Sequence, residues 1–147
     1  MSLRAIPLIL IPFLIYNFVV LLSGWGGAEV ADGAAGARSV LSSEIFSIPM
    51  LSGANWSFGI SDLIMVITLF MLFAEIVKST YTSTVSLLDH GLSMLVFVAC
   101  LIEFLTVPQA ATSTFFMIMV VALIDVVAGY TIGIRVARRD MAFGADV

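Results

Sequence analysis

Five of the ten acidic residues of this sequence lie inside long apolar runs, where water has little access to a carboxylate. Ionisable groups in such a setting usually face the interior of a helix bundle or a water-filled cavity, which makes each a candidate for function. The five residues are Asp62, Glu75, Asp89, Glu103 and Asp125. Asp125 is the most informative, because it lies about ten residues from either end of its apolar run, too deep to reach the surface along a helix.

Small residues surround Asp125 on one face of the predicted helix. They lie within about 80° of Asp125 when successive residues turn by about 100°. Because helices in a membrane associate through close packing and hydrogen bonds, small side chains beside one carboxyl group suit contact with another helix. The predicted helix-packing or partner face consists of Ala122, Asp125, Gly129 and Gly133.

The third apolar run carries polar residues along one side of its predicted helix. Asp89 and Glu103 are fourteen residues apart, which brings them back to nearly the same face. The whole stripe consists of Ser86, Asp89, Ser93, Cys100 and Glu103. We favour a seam buried against a neighbouring helix, because hydroxyl and carboxyl groups hold membrane helices together. The alternative is a proton or ion path, whose candidate groups are Asp89, His90, Glu103 and Asp125.

His90 is the only histidine of the chain, and two roles are open to it. A single imidazole suffices as the axial ligand of a pigment or of a five-coordinate haem. We favour the simpler interpretation, in which His90 hydrogen-bonds a neighbouring group or contacts lipid headgroups. The sequence identifies no other candidate site for a cofactor.

The two remaining acids of the apolar runs have structural explanations. Asp62 lies near the start of its predicted helix, where either its carboxylate or the Ser61 hydroxyl can accept backbone hydrogen bonds as a cap. Glu75 precedes Lys78 by three residues, a spacing that permits an ion pair on one helix face. We expect both carboxylates to stabilise the fold rather than to take part in chemistry.

The sequence contains none of the common catalytic motifs. It lacks an HExxH zinc motif, a CxxC pair, a GxSxG nucleophile elbow and a phosphate-binding glycine loop. Cys100 is the only cysteine, and six basic residues are too few for a surface that binds nucleic acid. We therefore predict no catalytic residues and no metal site, and an enzyme is the least favoured function.

The composition indicates which elements position these residues. With 61% hydrophobic residues, 11% charged residues and a mean hydropathy of +1.17, the chain is far more apolar than soluble proteins are. A membrane-spanning helix needs about 20 mostly apolar residues. Four such runs predict helices over about 3–22, 58–77, 84–107 and 114–134. We therefore expect an all-α integral membrane four-helix bundle that forms a single domain over 1–147.

The long loop between the first two predicted spans, residues 23–57, contains an amphipathic pattern. Its apolar residues share one face of a helical wheel, with serines and a glutamate on the other, until Pro49 ends the pattern. The apolar residues are Val40, Leu41, Ile45 and Ile48. This pattern predicts a short helix over 40–48 that lies in the membrane interface.

Basic residues are distributed unevenly between the two predicted membrane surfaces, and this distribution sets the orientation. Arg38 alone lies in the long loop. The opposite surface carries Arg4, Lys78, Arg135, Arg138 and Arg139. We expect both termini in the cytoplasm, an extracytoplasmic long loop, and a location in a bacterial inner membrane.

The first apolar run is longer than the core of a secretory signal, so we expect an uncleaved helix, kinked at Pro12.

Two functions are consistent with these features. The first is a non-catalytic accessory or interaction subunit of a larger integral-membrane complex, such as a respiratory, photosynthetic or transport assembly. Its partners would be the lipid bilayer together with other membrane subunits or copies of itself. The alternative is a proton- or ion-coupled channel or transporter that acts as a homo-oligomer and uses the intramembrane acids as titrating groups.

Overall fold

The protein is mostly helical in the computed structural model, which describes residues 6–24, 33–80 and 84–144, with the side chains of 6–20, 33–80 and 89–135. The helices are α1 (Leu10–Gly24), α2 (Gly33–Leu41), α3 (Ile60–Lys78), α4 (Thr84–Thr106) and α5 (Ser113–Gly144). Two strands, β1 (Glu44–Pro49) and β2 (Asn55–Gly59), pair between α2 and α3. A short 3-10 helix, Pro108–Ala110, joins α4 to α5.

Among the described residues, three helices are long and apolar enough to cross a membrane. The apolar stretches are Ile60–Lys78, Asp89–Thr106 and Ser113–Arg135, with mean hydropathies of 2.2, 1.5 and 2.3. At about 1.5 Å per residue, such lengths match a bilayer core of about 30 Å. Large side chains on their outer sides are exposed, as in Phe70, Leu105 and Val127. Such a surface fits a membrane protein, whose solvent is lipid.

The first helix is shorter than its apolar run suggested. Residues Ile6–Ile9 are not helical, and α1 begins at Leu10 rather than near residue 3. Pro12 consequently lies in the first turn, where backbone N–H groups have no partner within the helix, so its missing N–H costs little. Pro12 therefore gives α1 no reason to bend, contrary to the expected kink. With 15 residues α1 is about 22 Å long, less than the bilayer core.

The predicted interfacial helix over 40–48 is wrong. A short helix, α2, does lie in the long loop, but it ends at Leu41, and the following residues form an antiparallel hairpin of β1 and β2. Phe46 and Ile48 alternate with polar residues in the strand period, and Trp56 and Phe58 repeat that alternation in the partner strand. The apolar residues of β1 alone fit one face of a helix. The same alternation in β2, which pairs with β1, is what favours a strand.

A tight connection closes the hairpin. Gly53 has a φ of 83°, a left-handed conformation that glycine adopts without steric cost. Gly53 N donates to Met50 O at 2.9 Å, and Met50 N donates to Ala54 O at 2.8 Å. Met50 and Ala54 thus close a loop of three residues, 51–53, and the last residue of such a loop is commonly left-handed.

The buried core joins α1 to the start of α5. The Tyr16 hydroxyl donates to Gln109 O at 2.9 Å and lies 2.6 Å from Thr112 Oγ1. Thr112 also accepts a hydrogen bond from Phe115 N at 3.2 Å and so caps the first turn of α5. The rings of Tyr16 and Phe115 pack with centroids 4.8 Å apart. The same end of the bundle is covered by α2, whose Arg38 Nη2 donates to Ala111 O at 3.3 Å.

Candidate functional site, a buried polar network

Lys78, at the last residue of α3, is the centre of an ionic cluster. Its Nζ lies 2.9 Å from Glu75 Oε1 and 2.8 Å from Asp89 Oδ1, and it donates to Ile6 O at 3.0 Å. The second carboxylate oxygen of Glu75, Oε2, accepts a hydrogen bond from Leu8 N at 2.9 Å. The cluster therefore joins α3 to α4 and to the segment that precedes α1. The predicted ion pair between Glu75 and Lys78 is confirmed.

Burial makes this cluster electrostatically strong. The side chains of Glu75 and Asp89 are 0% and 2% exposed, whereas that of Lys78 is 24% exposed. One ammonium group thus compensates two carboxylates that have almost no access to solvent. Removal of one member of such a buried group leaves an uncompensated charge, which is far more costly than loss of a surface ion pair.

A second polar group lies where α4 packs against α5. Asp125 and Ser93 are 1% and 0% exposed, and they lie beside each other across this helix pair. Within the described part of the chain, neither Ser93 Oγ nor Asp125 Oδ2 has a hydrogen-bond partner. His90, Asp89 and Lys78 lie within electrostatic range of the Asp125 carboxyl group. Asp89 and His90 are neighbours on α4, so the charged cluster and the buried carboxyl group of Asp125 flank the same turn of that helix, and we refer to them together as the polar network.

Gly129 provides the space that His90 occupies. A Cβ atom at Gly129 would overlap His90 Nδ1 and would lie 2.5 Å from His90 Cε1. His90 is 2% exposed, and its ring centroid lies 5.9 Å from that of Tyr130. The imidazole is thus enclosed between α4 and α5 rather than directed toward lipid headgroups.

The predicted helix-packing face is divided by this arrangement. Ala122, Asp125 and Gly129 are buried on the inner side of α5. Gly133 is partly exposed, and a Cβ atom there would meet no described atom within 4 Å. Three of the four residues therefore contribute to packing within the chain, and Gly133 alone is not covered by the described part of it.

The polar stripe of α4 is divided as well. Asp89, Ser93 and Cys100 are buried, and Glu103 Oε2 accepts a hydrogen bond from Asn17 Nδ2 on α1 at 3.3 Å. The side chain of Ser86 lies outside the described residues. Buried apolar side chains, among them Val96 and Ile118, occupy the core around Cys100. From Ser93 to Cys100 the helix rises by about 10 Å, so an apolar layer separates Glu103 from the network around Asp125.

Two features of the network were not detected in the sequence. Lys78 and Asp89 lie eleven residues apart on different helices, so no helical spacing relates them. The backbone groups of Ile6 and Leu8 carry no sequence signal at all. The one available sign in the sequence was that Lys78 is the only lysine of the chain.

Among the described residues no group of three His, Cys, Asp or Glu side chains is arranged to hold a metal ion.

Comparison with known protein families, with characterised proteins and with solved structures finds no match to this chain. The chemistry of the polar network and the surfaces of the bundle are therefore the basis for a functional proposal.

Proposed function

We propose that α1, α3, α4 and α5 form a four-helix membrane bundle with both termini in the cytoplasm of a bacterial cell. The contacts of α1 with α3, α4 and α5 support its inclusion, although α1 is the shortest of the four. The excess of basic residues at the Lys78 end supports the orientation. In this arrangement the ionic cluster lies near the cytoplasmic surface of an inner membrane, and the hairpin lies on the opposite side.

We further propose that the protein is a non-catalytic accessory or interaction subunit of a larger integral-membrane complex. The observation that carries this proposal is the pairing of the ionic cluster within the chain, because Lys78, Glu75 and Asp89 join helices to one another. Groups engaged in this way stabilise a scaffold and are poorly suited to turn over a substrate. A scaffold in the membrane acts by holding other subunits.

Gly133 is the position at which a partner helix can approach α5 most closely. Small residues permit close backbone contact between membrane helices, and Gly133 has open space in front of its Cα atom. It continues the small-residue stripe of α5 beyond Gly129, which is already occupied by His90. A partner that packs on α5 would therefore meet Gly133 without displacing any described part of this chain.

Gly133→Leu is expected to prevent assembly while the chain itself remains folded. A Cβ atom at position 133 meets no described atom within 4 Å, so we expect this chain to tolerate leucine there, whereas the larger side chain would block close approach of another helix. Native mass measurement after mild detergent extraction reports the assembly, and thermal unfolding of the purified chain reports the fold. Val127→Leu, at a position 58% exposed, is the matched control and should assemble normally. Assembly of Gly133→Leu at the wild-type level would exclude this face as the partner contact.

The alternative function, a proton- or ion-coupled channel or transporter, is favoured by one observation. Ser93 and Asp125 are fully buried polar groups beside each other, and neither Ser93 Oγ nor Asp125 Oδ2 makes a hydrogen bond of standard geometry with a described residue. Unsatisfied buried groups are rare in native proteins and commonly have a functional reason. A proton or a small cation bound between them would satisfy both atoms, and the Lys78 cluster would connect them to the cytoplasm.

Asp125→Asn separates this alternative from the first proposal. The amide has nearly the same shape as the carboxylic acid but cannot bind and release a proton, so proton-coupled flux into reconstituted vesicles should be abolished. Asp62→Asn, a change at an exposed carboxylate, should leave the flux unchanged. Normal flux in Asp125→Asn would remove Asp125 from any transport mechanism, and no flux in wild-type vesicles would exclude the alternative altogether.

A further inference from the structure

The β1–β2 hairpin has one apolar face and one polar face. In its register Phe46 lies opposite Phe58 and Ile48 lies opposite Trp56. Cross-strand partners point to the same side of a sheet, and residues two apart in a strand share a face, so these four side chains form one surface. The intervening pairs, Ser47 with Ser57 and Pro49 with Asn55, form the opposite surface. We call the first surface the aromatic face and the second, on which three of the four side chains are polar, the polar face. Ile45 lies at the irregularity in register between Glu44 and Phe46 and is assigned to neither face.

The aromatic face is ordered internally but is not covered by the described part of the chain. The rings of Phe46 and Phe58 are stacked with centroids 5.0 Å apart, and Trp56 meets Phe58 edge-on at 5.7 Å. Phe46, Ile48 and Trp56 are nevertheless 44%, 45% and 48% exposed. An isolated two-stranded hairpin is marginally stable in water, and an exposed apolar patch normally has an occupant.

The base of the hairpin is fixed to the start of a membrane-spanning helix. β2 ends at Gly59 and α3 begins at Ile60, whose N–H donates to Ser43 O at 3.1 Å. Gly59 N donates to Asp62 Oδ2 at 2.9 Å, which fixes the last residue of β2 to the first turn of α3. The hairpin is therefore held at the depth where α3 leaves the hydrocarbon core.

We propose that the aromatic face lies in the interfacial layer of the lipid leaflet at the N-terminal end of α3, with the polar face directed toward water. Aromatic side chains, tryptophan above all, favour this layer, because an amphipathic ring is stable at headgroup depth. The sequence from Ile45 to Ser61 contains no charged residue, so no electrostatic complement to a protein partner is present. The apolar side chains of the connection, Met50 and Leu51, are also exposed, as expected for a tip immersed in the same layer.

This inference rests on α3 spanning the membrane and is independent of both proposed functions. The probe is Trp56 itself, since the chain has two tryptophans and Trp25→Phe leaves Trp56 as the only one. The variant is reconstituted into phosphatidylcholine and phosphatidylglycerol vesicles, and flotation verifies its incorporation. Bromine-labelled lipids then quench tryptophan in the bilayer, and iodide quenches tryptophan in water. Trp25→Tyr provides a second background if the first variant is not incorporated.

We expect the fluorescence of Trp56 to be blue-shifted. Lipids brominated near the headgroup should quench most of its intensity, and iodide should quench almost none. The matched control combines Trp25→Phe, Trp56→Phe and Ser57→Trp, which moves the tryptophan by one residue to the polar face. Its emission should be red-shifted and sensitive to iodide. Quenching of Trp56 by iodide alone would mean exposure to water, and protection from both quenchers would mean cover by protein. Either result, or equal behaviour of the two faces, would overturn the proposal.

Discussion

Lys78→Met is expected to destabilise the folded chain by about 3 kcal/mol, the lower end of the range for breaking a buried ion pair, because Lys78 is partly exposed. The substitution leaves Glu75 and Asp89 buried without a counter-charge and removes the hydrogen bond to Ile6 O. Reversible unfolding by dodecyl sulfate in mixed micelles measures the change in the free energy of unfolding.

Two further variants identify the cause of that loss. Arg135→Met removes a basic side chain at an exposed position of α5 and should change the stability little. Adding Asp89→Asn to Lys78→Met removes one of the two uncompensated charges and should restore part of the stability. If Lys78→Met were no worse than Arg135→Met, the cluster would contribute nothing and the scaffold proposal would lose its main support.

Gly129→Ala and Gly133→Ala are expected to have effects of opposite sign. Alanine at Gly129 would displace the buried His90 ring, and overpacking of this kind costs about 1–3 kcal/mol. Alanine at Gly133 meets no described atom within 4 Å and should stabilise the helix by about 0.5–1 kcal/mol, because glycine loses more backbone entropy on folding.

The comparison needs only the unfolding measurement used for Lys78, since each variant is a control for the other. The two glycines lie four residues apart on one helix and undergo the same chemical change. Adding His90→Ala to Gly129→Ala should relieve the overlap and recover part of the loss. Equal stabilities of Gly129→Ala and Gly133→Ala would contradict the packing of His90 against α5.

Hydropathy predicted the long helices because a bilayer imposes a simple requirement on length and polarity. The runs about 58–77, 84–107 and 114–134 correspond to α3, α4 and the apolar part of α5. The cap by Asp62 was also predictable and is confirmed, because capping depends on residues three positions apart. Local rules of this kind act within one element and can be applied to a sequence directly.

The hairpin and the polar network were less predictable, because both depend on partners in other elements. The apolar residues of β1 fit a helix as well as a strand, and only the pairing of Phe46 and Ile48 with β2 decides between them. The spacing along α3 predicts the contact of Lys78 with Glu75. The contact of Lys78 with Asp89 instead follows from how α3 and α4 pack. A sequence without aligned relatives offers no signal for such contacts.

The structure also links the two parts of the site. His90 and Asp89 are adjacent in α4, yet Asp89 contacts Lys78 on α3, whereas His90 occupies the space in front of Gly129 on α5. Adjacent residues on a helix point about 100° apart, so this pair can contact two different neighbours. We therefore expect changes at Lys78 and at Gly129 to be coupled through α4, which a double-mutant cycle would measure as non-additive stability.

The central claim, that this chain is a scaffold for other membrane subunits, is tested most directly by its mass in the native state. The wild-type protein is extracted from its own membrane with a mild detergent, and native mass spectrometry determines the composition of the particle. We expect a particle in which this chain and at least one different membrane polypeptide occur in fixed proportion. A particle that contains this chain alone, as a monomer or as a ring of identical copies, would contradict it.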